Sequence, residues 1–155
     1  MHRNEEDTAM PNCWIYDAGE GWTIYAGKTD EDNDLLSTRF ARPGEHWFHV
    51  NGMPGSHVIL RAPESLQDVK ADKRLIEKAA AVAAWHSKAR NGGWCSVCTT
   101  LAANVSKERG AKPGLVTVSN AKNIKVKPML PGQANGSGAT TLASDKGDKR
   151  NKVNS

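Results

Sequence analysis

Short runs rich in β-branched and aromatic residues alternate along this chain with turn-forming strings, and a single strong helical stripe interrupts them. CWIY (13–16) and WTIYAG (22–27) flank the string DAGEG, which predicts a β-hairpin. In KTDEDNDLLSTRF (28–40), Thr29 or Asp30 caps a short helix through Leu35, Leu36 and Phe40, and Arg42-Pro43-Gly44 stops it. HWFHV (46–50) and HVILR (57–61) read as two strands joined by NGMPGS, with its Asn-Gly and Pro-Gly turn signals. Period-two alternation puts Val58 and Leu60 on one face and His57, Ile59 and Arg61 on the other.

Residues 72–88, DKRLIEKAAAVAAWHSK, give the clearest helix: Leu75, Ile76, Ala79, Val82, Ala83 and His86 form one stripe, and Asn91-Gly92-Gly93 follows as a stop. Its alanines permit close approach to a sheet. WCSVCTTL (94–101) reads as a strand, AANVSKERG (102–110) as a short helix, and LVTVS (115–119) with NIKVK (123–127) as a second hairpin ended by Pro128. Trp14, Trp22, Trp85 and Trp94 each lie in or begin an apolar segment and are assigned to the core. The pattern predicts one α+β domain, mainly an antiparallel sheet with one long helix packed on it and short additional helices.

Composition narrows this picture. With 155 residues there is room for one ordinary domain. A hydrophobic share of 38% and a mean hydropathy of −0.60 fit a modest core with unpacked ends. The expected organisation is a flexible leader over residues 1–11, the domain over 12–130, and a disordered basic tail over 131–155. The leader is acidic where a signal peptide is basic and then apolar, and no apolar run is long enough to span a membrane. The expectation is a cytoplasmic protein with no membrane partner. An odd count of three cysteines argues for reduced thiols. The net charge is only +4 but unevenly spread: acids dominate before residue 35 and lysines after residue 111, a basic flank suited to phosphate backbones.

Residues 46–58, HWFHVNGMPGSHV, concentrate the candidate chemistry. A Ser56–His57 nucleophile pair is disfavoured, because neighbours in a strand point to opposite faces and the G-x-S-x-G elbow is missing. A zinc site from His46, His49, Cys95 and Cys98 has suitable ligand types. Positions three apart in a strand diverge, however, and the expectation is no metal and no cofactor. A recognition loop fits better. Gly52, Pro54, Gly55 and Ser56 let the backbone approach a ligand, and His49, His57, Arg61 and Trp47 offer donors and a stacking surface beside it.

Taken together, WTIYAGKTDEDNDLL, ARPGEHWFHVNGMPGSHVILR, AAAVAAWHSKAR and KPGLVTVSNAKNIKVKP resemble the NFACT-R domain family over roughly residues 14–128. The residues that carry the likeness are Gly27, Lys28, Asn33, Phe48, His49, Gly52, Pro54, Gly55, Ser56, His57, Val58, Lys112, Pro113 and Gly114. His46 stands where relatives often have another aromatic, and the two closely spaced cysteines are outside the signature. The resemblance, to the small stand-alone bacterial type, implies a non-catalytic RNA-binding module of the translation apparatus. Its implied partners are tRNA or large-subunit ribosomal RNA and the large ribosomal subunit, in ribosome-associated quality control or tRNA modification. The expected recognition element is His49, Asn51, Gly52, Pro54, Gly55, Ser56, His57 and Arg61, beside Trp47. Lys28, Arg39, Arg42, Lys112, Lys122, Lys125 and Lys127 are the expected phosphate contacts. Two alternatives stay open: an enzyme or accessory factor acting on tRNA through a loop histidine, and a domain that docks on ribosomal proteins.

Overall fold

A computed structural model of the chain describes residues 10–66 and 69–132. The expected leader up to residue 9 and the expected tail from residue 133 lie outside the described residues. In chain order the elements are β1 (Cys13–Gly19), β2 (Trp22–Gly27), α1 (Asp30–Leu35) continued by a π-helical segment (Leu36–Phe40), β3 (His46–Val50), β4 (Val58–Arg61), a 3-10 turn (Glu64–Leu66) and α2 (Lys73–Trp85). There follow β5 (Cys95–Leu101), a second 3-10 turn (Ala102–Asn104), β6 (Val105–Ser106), β7 (Thr117–Val118) and β8 (Lys122–Val126).

Six strands form one sheet in the order β1-β2-β4-β3-β5-β8, and every neighbouring pair is antiparallel. Alternation sorts its side chains cleanly. Trp22, Ile24, Ala26, Phe48, Val58, Leu60, Val97 and Val126 point to a first face covered by α2. Ile59 and Trp47 point to the second face, where Leu36 and Val105 pack against them with Tyr25, Cys98, Val116 and Val118. The domain is therefore α+β, mostly antiparallel, with a helix on one side and α1 with the β6–β7 ribbon on the other.

Helix α2 starts where Asp72 accepts a hydrogen bond from the Leu75 N–H at 2.9 Å, and buried alanines 79, 80, 83 and 84 let it lie close to the sheet. The expected long helix over 72–88 is corrected to 13 residues of moderate length. The reason is local. His86 leaves helical backbone (φ −93°, ψ 48°), its carbonyl accepts the Ser56 N–H at 2.9 Å, and its ring is stacked on Trp14 with centroids 4.1 Å apart. Tertiary partners take over the groups that another helical turn would have used.

Thr29 caps α1 through the Asp32 N–H at 3.0 Å, with Asp30, Glu31 and Asp32 in the positively polarised first turn. Three further expectations are revised. Of the helix expected over 102–110, only the turn Ala102–Asn104 forms, because Val105 turns extended into β6 and buries on the second face. LVTVS and NIKVK do not pair with each other: β7 pairs with β6, and β8 with β5. Val118 packs on the second-face cluster while Ile124 packs against the first, so the chain must cross between them. Thr100 Oγ1 holds the crossing by donating toward the Ser119 and Asn120 carbonyls at 2.9 and 3.2 Å, and Asn120 takes φ +52°. Finally, Trp22 is buried as expected, but Trp94 is 65% exposed.

Candidate nucleic-acid interface

The glycine-serine-histidine string ties three segments together. Ser56 Oγ donates to the Gly27 carbonyl at 2.6 Å, the Gly27 N–H donates to the His57 carbonyl at 3.1 Å, and the His57 N–H donates to Asn33 Oδ1 at 3.0 Å. A Cβ on Gly27 would collide with that same Asn33 oxygen. Gly55 forms a bridge with Ser87, and a Cβ there would sit 2.7 Å from Ser87 Cβ and 3.1 Å from the His86 carbonyl. Gly27, Asn33, Gly55, Ser56 and His57 therefore knot β2, α1, α2 and the 51–57 loop into one unit held by internal hydrogen bonds.

His57 is 3% exposed. Its Nδ1 lies 2.8 Å from Ser37 Oγ, which also accepts a hydrogen bond from Trp47 Nε1 at 2.8 Å. One hydroxyl proton suits this geometry: Ser37 accepts from the indole and donates to a neutral imidazole. Burial pushes the His57 pKa down to about 3, with neighbouring His49 adding to the effect, and pushes His49 itself down to about 4. The two rings meet edge to face at 5.3 Å. His86 is likewise pushed down to about 3 by burial, then by Arg90 and Lys28, and its Nε2 is 2.7 Å from the Tyr16 hydroxyl.

Arg61 shares the face of His57, as the alternation predicted, but does not reach outward. Its guanidinium clasps Glu45 at 2.6 and 3.0 Å, donates to the Phe40 carbonyl at 2.8 Å and lies 4.1 Å from the centroid of the Phe40 ring. Both side chains of the pair are nearly buried, at 13% and 11% exposure. Trp47 is also buried. Of the expected recognition element, Trp47, Ser56 and His57 are buried and Arg61 nearly so, and their polar groups are engaged inside the protein as part of its scaffold. His49 is half-buried, Gly55 is held against α2, and Asn51, Gly52 and Pro54 form the exposed tip. Asn51 Nδ2 donates to Ser96 Oγ at 2.8 Å and to Asn123 Oδ1 at 2.9 Å, which links the tip to β5 and β8.

The four alternative metal ligands diverge. Cys95 packs toward the α2 face and Cys98 toward the other, while His46 lies beside Phe48 and His49 beside Trp47. Among the described residues no three His, Cys, Asp or Glu side chains gather in a way that could hold a metal ion. No described helix is long and apolar enough to cross a membrane. A cavity of about 540 Å³, lined by Trp22, His46, Leu60 and Leu101, opens at the end of the sheet away from the 51–57 loop.

The expected phosphate contacts divide between the two ends of the sheet. Lys28 follows the end of β2 and lies over Trp14 at 5.4 Å. Lys125 and Lys127 lie at the end of β8, and both Lys28 and these lysines join the tip. Arg42 precedes β3 at the opposite end, 3.4 Å from Glu64, and exposed Arg39 sits in the π segment of the second face. Lys122 opens β8, remote from the tip. Lys112 belongs to a clip on α1: Lys107 reaches the Lys112 carbonyl and pairs with Asp34 at 3.2 Å, while the Gly114 N–H donates to Asp34 at 3.1 Å. Gly114 has φ +88°, and a Cβ there would stand 2.8 Å from Asp30 Oδ1. Sequence reasoning missed Ser37, Glu45, Asp34 and Lys107. Their partners are distant in the chain, and no spacing rule signals them.

Residues 12–120 match the family model described as NFACT protein RNA binding domain. The chain is 37% identical over 118 residues to the Rqc2 homolog RqcH of Bacillus subtilis and 38% identical over 115 residues to that of Streptococcus suis. These matches cover 76% and 73% of this chain but only 20% of each relative. The structure of the C-terminal part of a fibronectin/fibrinogen-binding protein from Streptococcus suis superimposes with a TM-score of 0.67 at 32% identity, covering 78% of this chain and 46% of that one. With a family model matching residues 12–120, the chain belongs to the family of NFACT protein RNA binding domains.

Proposed function

We propose that the chain binds structured RNA, either tRNA or large-subunit ribosomal RNA, without acting on it chemically, and that it serves ribosome-associated quality control in the cytoplasm. The observation that carries this reading is one end of the sheet in a chain of this family. There the exposed tip Asn51, Gly52 and Pro54 stands with the exposed cations Lys28, Lys125 and Lys127. A tip that positions and lysines that neutralise phosphates make a footprint for a folded polyanion. The buried, neutral His57 supports a binding role over proton transfer, since its ring is sealed from any ligand. The relatives' name, Rqc2 homolog, supports the pathway.

Fluorescence anisotropy with a tRNA and with a ribosomal RNA fragment tests the proposal. Three phosphate contacts predict binding roughly 20–40-fold weaker on going from about 50 to about 200 mM salt. The double change Lys125→Ala with Lys127→Ala flattens that dependence. An absence of measurable binding to either RNA at low salt refutes RNA recognition. Ribosome association that survives ribonuclease treatment assigns the domain to protein docking instead.

A further inference from the structure

We propose that Trp94, with Lys125 and Lys127, is a stacking platform for an unpaired base of single-stranded RNA, such as a loop or a free end. This site deepens the RNA-binding reading and rests on it. Trp94 is 65% exposed. It follows Gly93, whose φ of +83° turns the chain out of the α2–β5 connection. Because Cys95 pairs with Val126, the residues just beyond that pair, Trp94 and Lys127, are brought side by side. The Lys127 ammonium lies 5.3 Å from the indole centroid. Such a lysine engages one ring face and leaves much of the indole to solvent.

The surroundings complete a nucleotide-shaped set of contacts. Ile124 and Val126 pack toward α2, so Asn123 and Lys125 project to the second face, and Lys125 stands opposite Ser96. Asn51 uses its Nδ2 and Asn123 its Oδ1 in the bonds that join the tip to β5 and β8. Asn51 Oδ1 and Asn123 Nδ2 take no part in these bonds, and on two exposed residues they offer an acceptor and a donor, the pair a base edge requires. Every segment that meets at this corner, residues 49–58, 86–98 and 119–132, lacks Asp and Glu. An exposed indole beside lysines with no carboxylate among them matches a base flanked by phosphates better than any neutral ligand.

The full chain is titrated with a fluorescent single-stranded oligonucleotide of about ten nucleotides and with a perfect RNA duplex. Trp94→Ala weakens single-strand binding at least about fivefold, Trp94→Phe retains most of it, and duplex binding does not change. Trp94 packs little, so the thermal midpoint of both variants stays at the wild-type value and loss of fold does not confound the result. Equal single-strand affinity for the wild type and Trp94→Ala overturns the platform while leaving the RNA-binding reading standing. A wild-type chain that binds neither RNA overturns both. Displacement of the oligonucleotide by poly-glutamate with the same dependence on Trp94 reassigns the corner to an acidic protein and likewise overturns the proposal.

Discussion

His57 and His86 make the fold acid-sensitive in a way that can be calculated. Each imidazole has an ordinary pKa of 6.5 and a folded-state pKa of about 3, because burial penalises the charged ring. The unfolded chain therefore takes up protons as pH falls through 6.5 while the folded chain does not. The stabilisation is complete above 6.5 and is lost progressively toward about 3. At pH 5, above the folded values, the loss is set by the unfolded ring alone and comes to about 2 kcal/mol per histidine, or about 4 kcal/mol for the two. That is a large part of the roughly 5–15 kcal/mol that holds a domain folded. Urea unfolding at pH 8 and at pH 5, in the wild type and in His57→Asn, isolates the contribution. Asparagine keeps a polar group near Ser37 but does not titrate. The variant is less stable at pH 8, yet its drop between the two pH values is smaller by about 2 kcal/mol, equivalent to roughly 1 M in the urea midpoint. An identical drop in wild type and variant would show that His57 is not a buried neutral ring, and the assignment of this residue to the scaffold would fall with it.

Two further expectations concern the same scaffold. Arg61→Ala leaves the nearly buried Glu45 without its charged partner, with only the Arg42 N–H still bonded to it, and costs about 3 kcal/mol, read by chemical denaturation, while RNA affinity of the folded protein is unchanged. A weakened affinity at unaltered stability would return Arg61 to the binding surface. Gly55→Ala forces a methyl against Ser87 and costs about 1–3 kcal/mol, whereas Gly52→Ala, in open space at φ +77°, costs about 1 kcal/mol of backbone strain alone. Comparable losses at the two glycines would contradict the close approach of loop and helix.

The elements that were legible in the sequence are those whose signals are local. The β1–β2 hairpin, the Thr29 cap and the divergence of His46 from His49 follow from turn chemistry and the two-residue period. Helix α2 was recognisable by its stripe, but its end was not, because His86 is drawn away by Tyr16, Trp14 and Ser56, none of them near in sequence. β7 and β8 looked like one hairpin, since each has the composition of a strand and composition does not say which sheet a strand joins. The burial of several expected site residues is illegible for a related reason. Ser56, His57 and Arg61 carry chemistry that suits a ligand equally well, and only the positions of Gly27, Asn33 and Glu45 show that it is spent inside the protein. Trp94 was misplaced in the opposite direction: an apolar residue between Gly-Gly and a strand reads as core until the strand's register is known.

The knot of Gly27, Asn33, Ser56 and His57 has an evolutionary corollary. It clamps the C-terminal foot of the 51–57 loop, and the hydrogen bond from the Asn51 N–H to the Ser96 carbonyl pins the other foot. Substitutions or insertions at Gly52, Met53 and Pro54 therefore vary what the tip presents while the frame beneath keeps its shape, since lengthening a loop between fixed ends adds little entropic cost. A domain built this way can acquire a new ligand preference by changing three residues of its crest, and drift there need not pass through an unfolded intermediate sequence.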